Sequence, residues 1–251
     1  MSSDVVDLRE FYQSPLGQAV ERLLRGRLRR IWPNLKSEKI LALGYGTPLL
    51  RPLLGEAESL IAMMPAAQGV AYWPREGPNL SALVEPSDLP LPDQSIDRAI
   101  LIHALESALD IRELLREVWR VLKSSGRVLV LVPNRRGLCA HSDRTPFGTG
   151  QPYSAFQIKD ALRDHGFLVD RTFRALFLPP SQSRLLLSAA DAFETLGEIL
   201  FPGFGGLLLM EAGKQIYAPI AAKIRPAKHN LVLPLPFPAS PLPTTRSMES
   251  L

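Results

Sequence analysis

The chain has 251 residues, a formal net charge of +4 and a hydrophobic fraction of 46%. That length and composition suit one globular domain with a sizeable core. Cys139 is the only cysteine, so an internal disulfide is excluded and a reducing, cytoplasmic setting is expected. The first seven residues (MSSDVVD) are acidic and lack the apolar run of a signal peptide. No stretch approaches the roughly 20 uninterrupted apolar residues of a membrane span. The arginines are scattered over helix faces rather than interleaved with aromatics, so no specific nucleic-acid partner is expected.

The first predicted element is a helix. Ser14 reads as its N-cap and Pro15 as its first residue, where a missing N–H does no harm. Leu16, Val20, Leu23, Leu24, Leu28 and Ile31 then recur at helical spacing. Residues 39–43 (KILAL) form a buried strand. Gly44, Tyr45, Gly46 and Thr47 make the turn after it, and a short helix over 48–54 follows. Residues 59–64 (SLIAMM) and 80–84 read as the second and third strands, and residues 98–103 as a fourth. Ile111, Leu114, Leu115, Val118, Val121 and Leu122 line one face of a helix that Ser124, Ser125 and Gly126 should stop. Residues 127–132 (RVLVLV) have the continuous apolar pattern of a strand buried on both faces.

A long polar loop spans 133–152. Ser154 and Gln157 form a capping box for a helix ending near Gly166. Residues 167–173 and 175–178 read as two closing strands, and 185–200 as helix. From Arg225 onward prolines dominate, which predicts a flexible tail. The expected organisation is an N-terminal helical segment (1–36), a core (37–180), a helical C-terminal extension (181–224) and the tail (225–251). Strands alternating with helices imply an α/β, Rossmann-like doubly wound sheet, mostly parallel with an antiparallel closing strand. Its ligands bind beyond the carboxyl ends of the strands.

Three segments carry a resemblance to a known family: 41–47 (LALGYGT), 88–97 (DLPLPDQSID) and 115–132 (LREVWRVLKSSGRVLVLV). In them the chain resembles the class I S-adenosylmethionine-dependent methyltransferases of the type 11 group. The resemblance implies an S-adenosylmethionine cofactor and a small-molecule acceptor; the loop arginines suggest an acidic one and the composition of 185–217 an apolar one. It places Gly44, Tyr45, Gly46, Thr47 and His103 at the cofactor, with Asp88 as acceptor for the adenine amino group and Leu89 against the ring. Two departures stand out. Pro48 occupies the place of a third glycine, and 63–66 (MMPA) lacks the acid that grips the ribose hydroxyls. Loss of such a contact costs about 2 kcal/mol, roughly thirtyfold in affinity. Glu85 or Gln68 could replace it. The missing acid also argues against NAD, as does Leu49 standing where the third glycine of G-x-G-x-x-G should be. Pro48 and the missing acid keep open an alternative, a non-catalytic binding or scaffold protein on the same fold.

His103 and His141 are candidate bases, each with the alternative of an ordinary hydrogen-bonded or solvated histidine. Arg135, Arg136 and Arg144 could receive an acidic substrate group or could form a basic surface loop. Cys139 has no partners at metal spacing, so no metal is expected. The leucine-, glycine- and phenylalanine-rich stretch 185–217 is expected to cap the substrate pocket, with peripheral membrane contact as a further reading.

Overall fold

The computed structural model describes residues 3–142, 145–181 and 183–215. The proline-rich tail, Arg144 and the side chain of His141 lie outside the described set. The chain opens with a helix that the sequence pattern did not single out, α1 (Val5–Gln13). Asp4 caps it, its Oδ1 accepting from Val6 N and Asp7 N at 2.8 and 2.9 Å. Leu8 and Tyr12, four residues apart, are its buried face. Ser14 ends α1 and caps α2 (Pro15–Ile31), its Oγ accepting from Gly17 N at 3.0 Å. A Cβ on Gly17 would lie 1.8 Å from Phe11 O, so only glycine lets α2 leave α1 so sharply.

The sheet follows: β1 (Lys39–Gly44), a short α3 (Thr47–Leu50), β2 (Ser59–Pro65), β3 (Ser81–Val84), β4 (Ile96–Ile102), α4 (Ile111–Val121), β5 (Leu122–Pro133), α5 (Ala155–Asp164), β6 (Phe167–Ala175), α6 (Arg184–Ser188), α7 (Ala190–Leu200) and β7 (Leu207–Lys214). The strand order is β3-β2-β1-β4-β5-β7-β6. The first five strands in that order pair in parallel, and β7 runs antiparallel between β5 and β6.

Alternate residues of each central strand face opposite layers. Ile40, Ala42, Ile100 and Ile102 pack with α1 and α2. Leu41, Leu43, Ala99 and Leu101 pack with α4 and α5. The capping box at Ser154 and Gln157 is present.

Three local expectations are corrected. The closing strand expected at 175–178 is absent. Ala175 ends β6, and Leu176 takes a left-handed backbone (φ +62°) that leaves the sheet. Its place is taken by β7, within the 181–224 stretch expected to be helical. That strand is buried for most of its length, and a continuous apolar run carries no period by which to tell strand from helix. Ser124, Ser125 and Gly126 do not stop α4; the helix ends at Val121 and these residues already belong to β5.

Glu211 of β7, 1% exposed, ties this sheet edge to the helical layer. It accepts from Trp32 Nε1 at 2.8 Å and from Arg171 Nε at 2.6 Å. Burial works against its charge, but the Arg171 and Trp32 hydrogen bonds outweigh that and hold its carboxyl below the usual range.

Candidate functional site

The carboxyl ends of β1 to β4 share one rim. Gly44 leaves β1 with φ +91°, and a Cβ there would lie 2.0 Å from Ile102 O. A Cβ on Gly46 would lie 2.4 Å from the Ala42 Cβ. Both glycines are therefore demanded by contacts inside the protein. Tyr45 is buried and stacks on Tyr12 of α1, ring centroids 5.7 Å apart. Thr47 is buried in the first turn of α3. So α1 lies across the glycine turn.

Farther along the rim a cavity of about 240 Å³ opens between the ends of β2, β3 and β4. Its lining includes Ala66, Gln68, Glu85, Ser107, Leu109 and Glu113. Gln68 is 3% exposed. Its Nε2 donates to His103 O at 3.0 Å, while its Oε1 is buried with no partner. Glu85 is exposed and belongs to the same lining. The two residues that the sequence offered in place of the missing acid thus line one cavity.

Asp88 and Leu89 are placed differently. Asp88 is exposed in the turn after β3, its N–H donating to Glu85 O at 3.0 Å, and it does not line the cavity. Leu89 is buried against α4 in the core layer. Its N–H donates to Glu117 Oε2 at 2.9 Å. Arg120 clamps the same loop through the carbonyls of Leu89 and Leu91 and the Asp93 carboxylate. The Arg120 hydrogen bond, ahead of burial and the Leu89 N–H, governs Glu117 and keeps its carboxyl low. Segments 88–97 and 115–122 of the family pattern are thus one structural unit, a loop pinned to a helix.

His103 follows β4 with a left-handed backbone (φ +55°), uncommon outside glycine. It is 3% exposed and stacks on Phe147, ring centroids 4.7 Å apart. Tyr12 Oη lies 3.0 Å from its Nε2, and Glu106 Oε1 lies 3.4 Å from its Nδ1. Burial, with smaller contributions from Tyr45 and Glu106, pushes the Tyr12 phenol well up, so its O–H is retained. With that O–H donated to Nε2, the imidazole presents Nδ1–H to Glu106. Both Glu106 carboxylate oxygens are buried without a hydrogen bond. A water-sized void of about 10 Å³ touches His103, Glu106, Thr149 and Ser3. Gln68 and Ser107 line both this void and the larger cavity. Sequence reasoning found His103 but not Tyr12 or Glu106. The His-x-x-Glu spacing at the end of a strand was the available signal.

Thr145, Phe147 and Thr149 of the long loop close the site from above. Phe147 is 2% exposed, and Thr149 Oγ1 lies 2.7 Å from Ser3 Oγ. Arg135 and Arg136 are exposed and do not line either cavity. Cys139 is buried, which raises its thiol to about 12. Among the described residues, no three His, Cys, Asp or Glu side chains are grouped to hold a metal ion, and no helix is long and apolar enough to cross a membrane.

A cavity at the carboxyl ends of parallel strands is where doubly wound sheets take nucleotide-like ligands. Comparison with known proteins narrows this. Residues 41–130 match the family model described as a methyltransferase domain. A protein of Mycobacterium tuberculosis (strain H37Rv), described as a probable S-adenosylmethionine-dependent methyltransferase, is 30% identical over 159 residues, which is 61% of this chain and 56% of that protein. The chain thus spans a little over half the length of the curated relatives it matches. Among solved structures, an S-adenosylmethionine-dependent methyltransferase from Mesorhizobium loti aligns with TM-score 0.54 at 17% identity, covering 75% of this chain and 96% of that one. The cyclase SpnF aligns equally well, TM-score 0.54 at 20% identity, covering 80% and 83%; likeness at this level is likeness of fold. Residues 41–130 are thus similar to a methyltransferase domain, the fold is shared with solved methyltransferases, and the curated relatives are described as S-adenosylmethionine-dependent.

Proposed function

We propose that this protein transfers a methyl group from S-adenosylmethionine to a small-molecule acceptor, holding the nucleoside end of the cofactor in the cavity between Gln68 and Glu85. The observation that carries the reading is Gln68, a lining residue of that cavity whose buried Oε1 has no partner. An acceptor left without a donor costs about 1–3 kcal/mol, and a ribose hydroxyl would remove that cost. Glu85 supplies a second acceptor in the same lining, and Ala66 and Leu109 supply apolar wall. Gly44 and Gly46 shape the rim rather than cradle the ligand, and Asp88 plays no part in holding it.

The bound cofactor supplies an electrophilic methyl group on a sulfonium sulfur. The chain's residues supply orientation and exclusion of water, which account for most of such a displacement. His103 is the group to receive the acceptor's proton, at Nε2, with Glu106 steadying the imidazolium through Nδ1–H. Tyr12 occupies Nε2 at 3.0 Å. An acceptor therefore reaches His103 when α1 withdraws from the rim. His141, Arg135, Arg136 and Arg144 have no assigned role in this reading.

The cover that α1 places over the glycine turn favours a second reading, a methyltransferase-like binding or scaffold protein that no longer takes the cofactor. Titration calorimetry with S-adenosylmethionine and S-adenosylhomocysteine separates the two. Micromolar binding is expected, weakened about tenfold by Gln68→Leu and again by Glu85→Gln. No heat at millimolar ligand from demonstrably folded protein would refute cofactor binding and leave the scaffold reading.

A further inference from the structure

The end of α7 and the turn joining it to β7 leave large apolar side chains in solvent. Leu196, Ile199, Leu200, Phe201 and Phe204 are each between 57% and 70% exposed. The backbone beneath them is firmly built. Asn134 Nδ2 donates to the carbonyls of Gly203 and Gly205 at 3.1 and 2.7 Å. Glu194 of α7 accepts from Phe177 N at 2.7 Å. The Phe177 ring lies where a Cβ on Gly197 or Gly205 would be, its Cγ at 2.5 Å from the first and its Cζ at 3.1 Å from the second. The apolar tip is thus held outward on an anchored turn.

Its surroundings are basic. Arg135 and Arg136 are exposed beside Gly137, whose Cβ position lies 2.5 Å from Gly205 O. Arg22 and Arg30 of α2 are exposed and line a groove of about 370 Å³ against α7, together with Ile199. None of these four arginines makes a salt bridge among the described residues. The groove's acids are Asp191, Glu194 and Glu198. Of these, Glu194 and Glu198 pair with Arg27.

We infer that this tip docks on an anionic lipid bilayer. Apolar side chains that enter the headgroup boundary, ringed by arginines that make no salt bridge among the described residues, match such a surface in both hydrophobicity and sign. A protein partner's face would have to answer the same five apolar residues and four arginines together. The tip also stands on the rim that carries the cavity, because Leu207 of β7 pairs with Pro133 at the carboxyl end of β5. Docking therefore turns that rim toward the membrane, where amphiphilic acceptors reside.

The test is co-sedimentation of the full chain with sucrose-loaded vesicles, one set of phosphatidylcholine alone and one containing phosphatidylglycerol. Binding is expected to the anionic vesicles and to weaken with salt. Phe201→Ser with Phe204→Ser should reduce it about thirtyfold or more. Arg135→Gln and Arg136→Gln should each reduce it about fivefold on anionic vesicles. All variants should keep the parent's melting temperature and its cofactor titration, so the outcome stands apart from the methyltransferase reading. No co-sedimentation by the folded parent, or parental binding by the double phenylalanine variant, overturns the inference. So does a parent that light scattering shows to be a dimer, with the double variant monomeric and still bound to vesicles.

Discussion

Gly44 sits in the glycine turn that would ordinarily be credited to cofactor contact, yet its surroundings make a stability prediction that needs no cofactor. Gly44→Ala places a methyl group 2.0 Å from Ile102 O on a residue held at φ +91°. A left-handed backbone on a non-glycine residue costs roughly 1–2 kcal/mol. The overlap is with backbone of the central β4 strand rather than with a flexible side chain, which adds about 1–3 kcal/mol of overpacking strain. The sum is about 2–5 kcal/mol. For a domain of this size about 2–4 °C of melting temperature is lost per kcal/mol, so a fall of roughly 5 °C or more is expected. The assay is thermal denaturation of the purified protein without ligand, followed by far-ultraviolet circular dichroism. A Gly44→Ala variant melting within about a degree of the parent would refute the reasoning. The expected destabilisation would also mean that lost activity in glycine-turn variants says little about cofactor contact.

Ala66 is exposed on the cavity wall just past β2, where the family carries its ribose-binding acid. Ala66→Asp is expected to tighten S-adenosylhomocysteine binding by about tenfold, measured by calorimetry, and unchanged or weaker affinity would count against the placement of the nucleoside. Glu211→Gln is expected to alter stability with a definite sign in pH. The folded carboxyl is held low, so its contribution is present above the unfolded carboxylate value near 4.3 and is lost as pH falls through the folded value. Urea melts of parent and variant should therefore converge on acidification below about pH 4, and a gap that stays constant would disprove the assignment. Cys139, with its thiol raised to about 12, is expected to resist iodoacetamide at pH 8 in the native state and to react on unfolding, read by mass spectrometry.

The parallel half of the sheet was legible because each strand ends in a distinctive signal. The glycine after β1, the capping serine before α5 and the apolar stripe of α4 are local features, and short-range sterics and hydrogen bonding realise them wherever the chain goes. His103 was also legible, as a titratable residue closing a strand on the binding rim. The short helix α1 was not, because its buried residues Leu8 and Tyr12 are too few to establish a period. Nor was β7, whose apolar run reads equally well as helix until β5 and β6 offer their edges.

The sequence by itself determined the class of fold and the segments that bear the family's pattern, since these rest on local spacing. Only the tertiary structure decided where those residues sit. It set Leu89 into the core and Asp88 into solvent. It gave Gly44 and Gly46 to internal packing. It also brought Tyr12, Gln68, His103 and Glu106 together from 35 to 91 residues apart for the long-range pairs. Such encounters are fixed by how layers close on a sheet, and the chain's local preferences carry no record of which side chains will meet there.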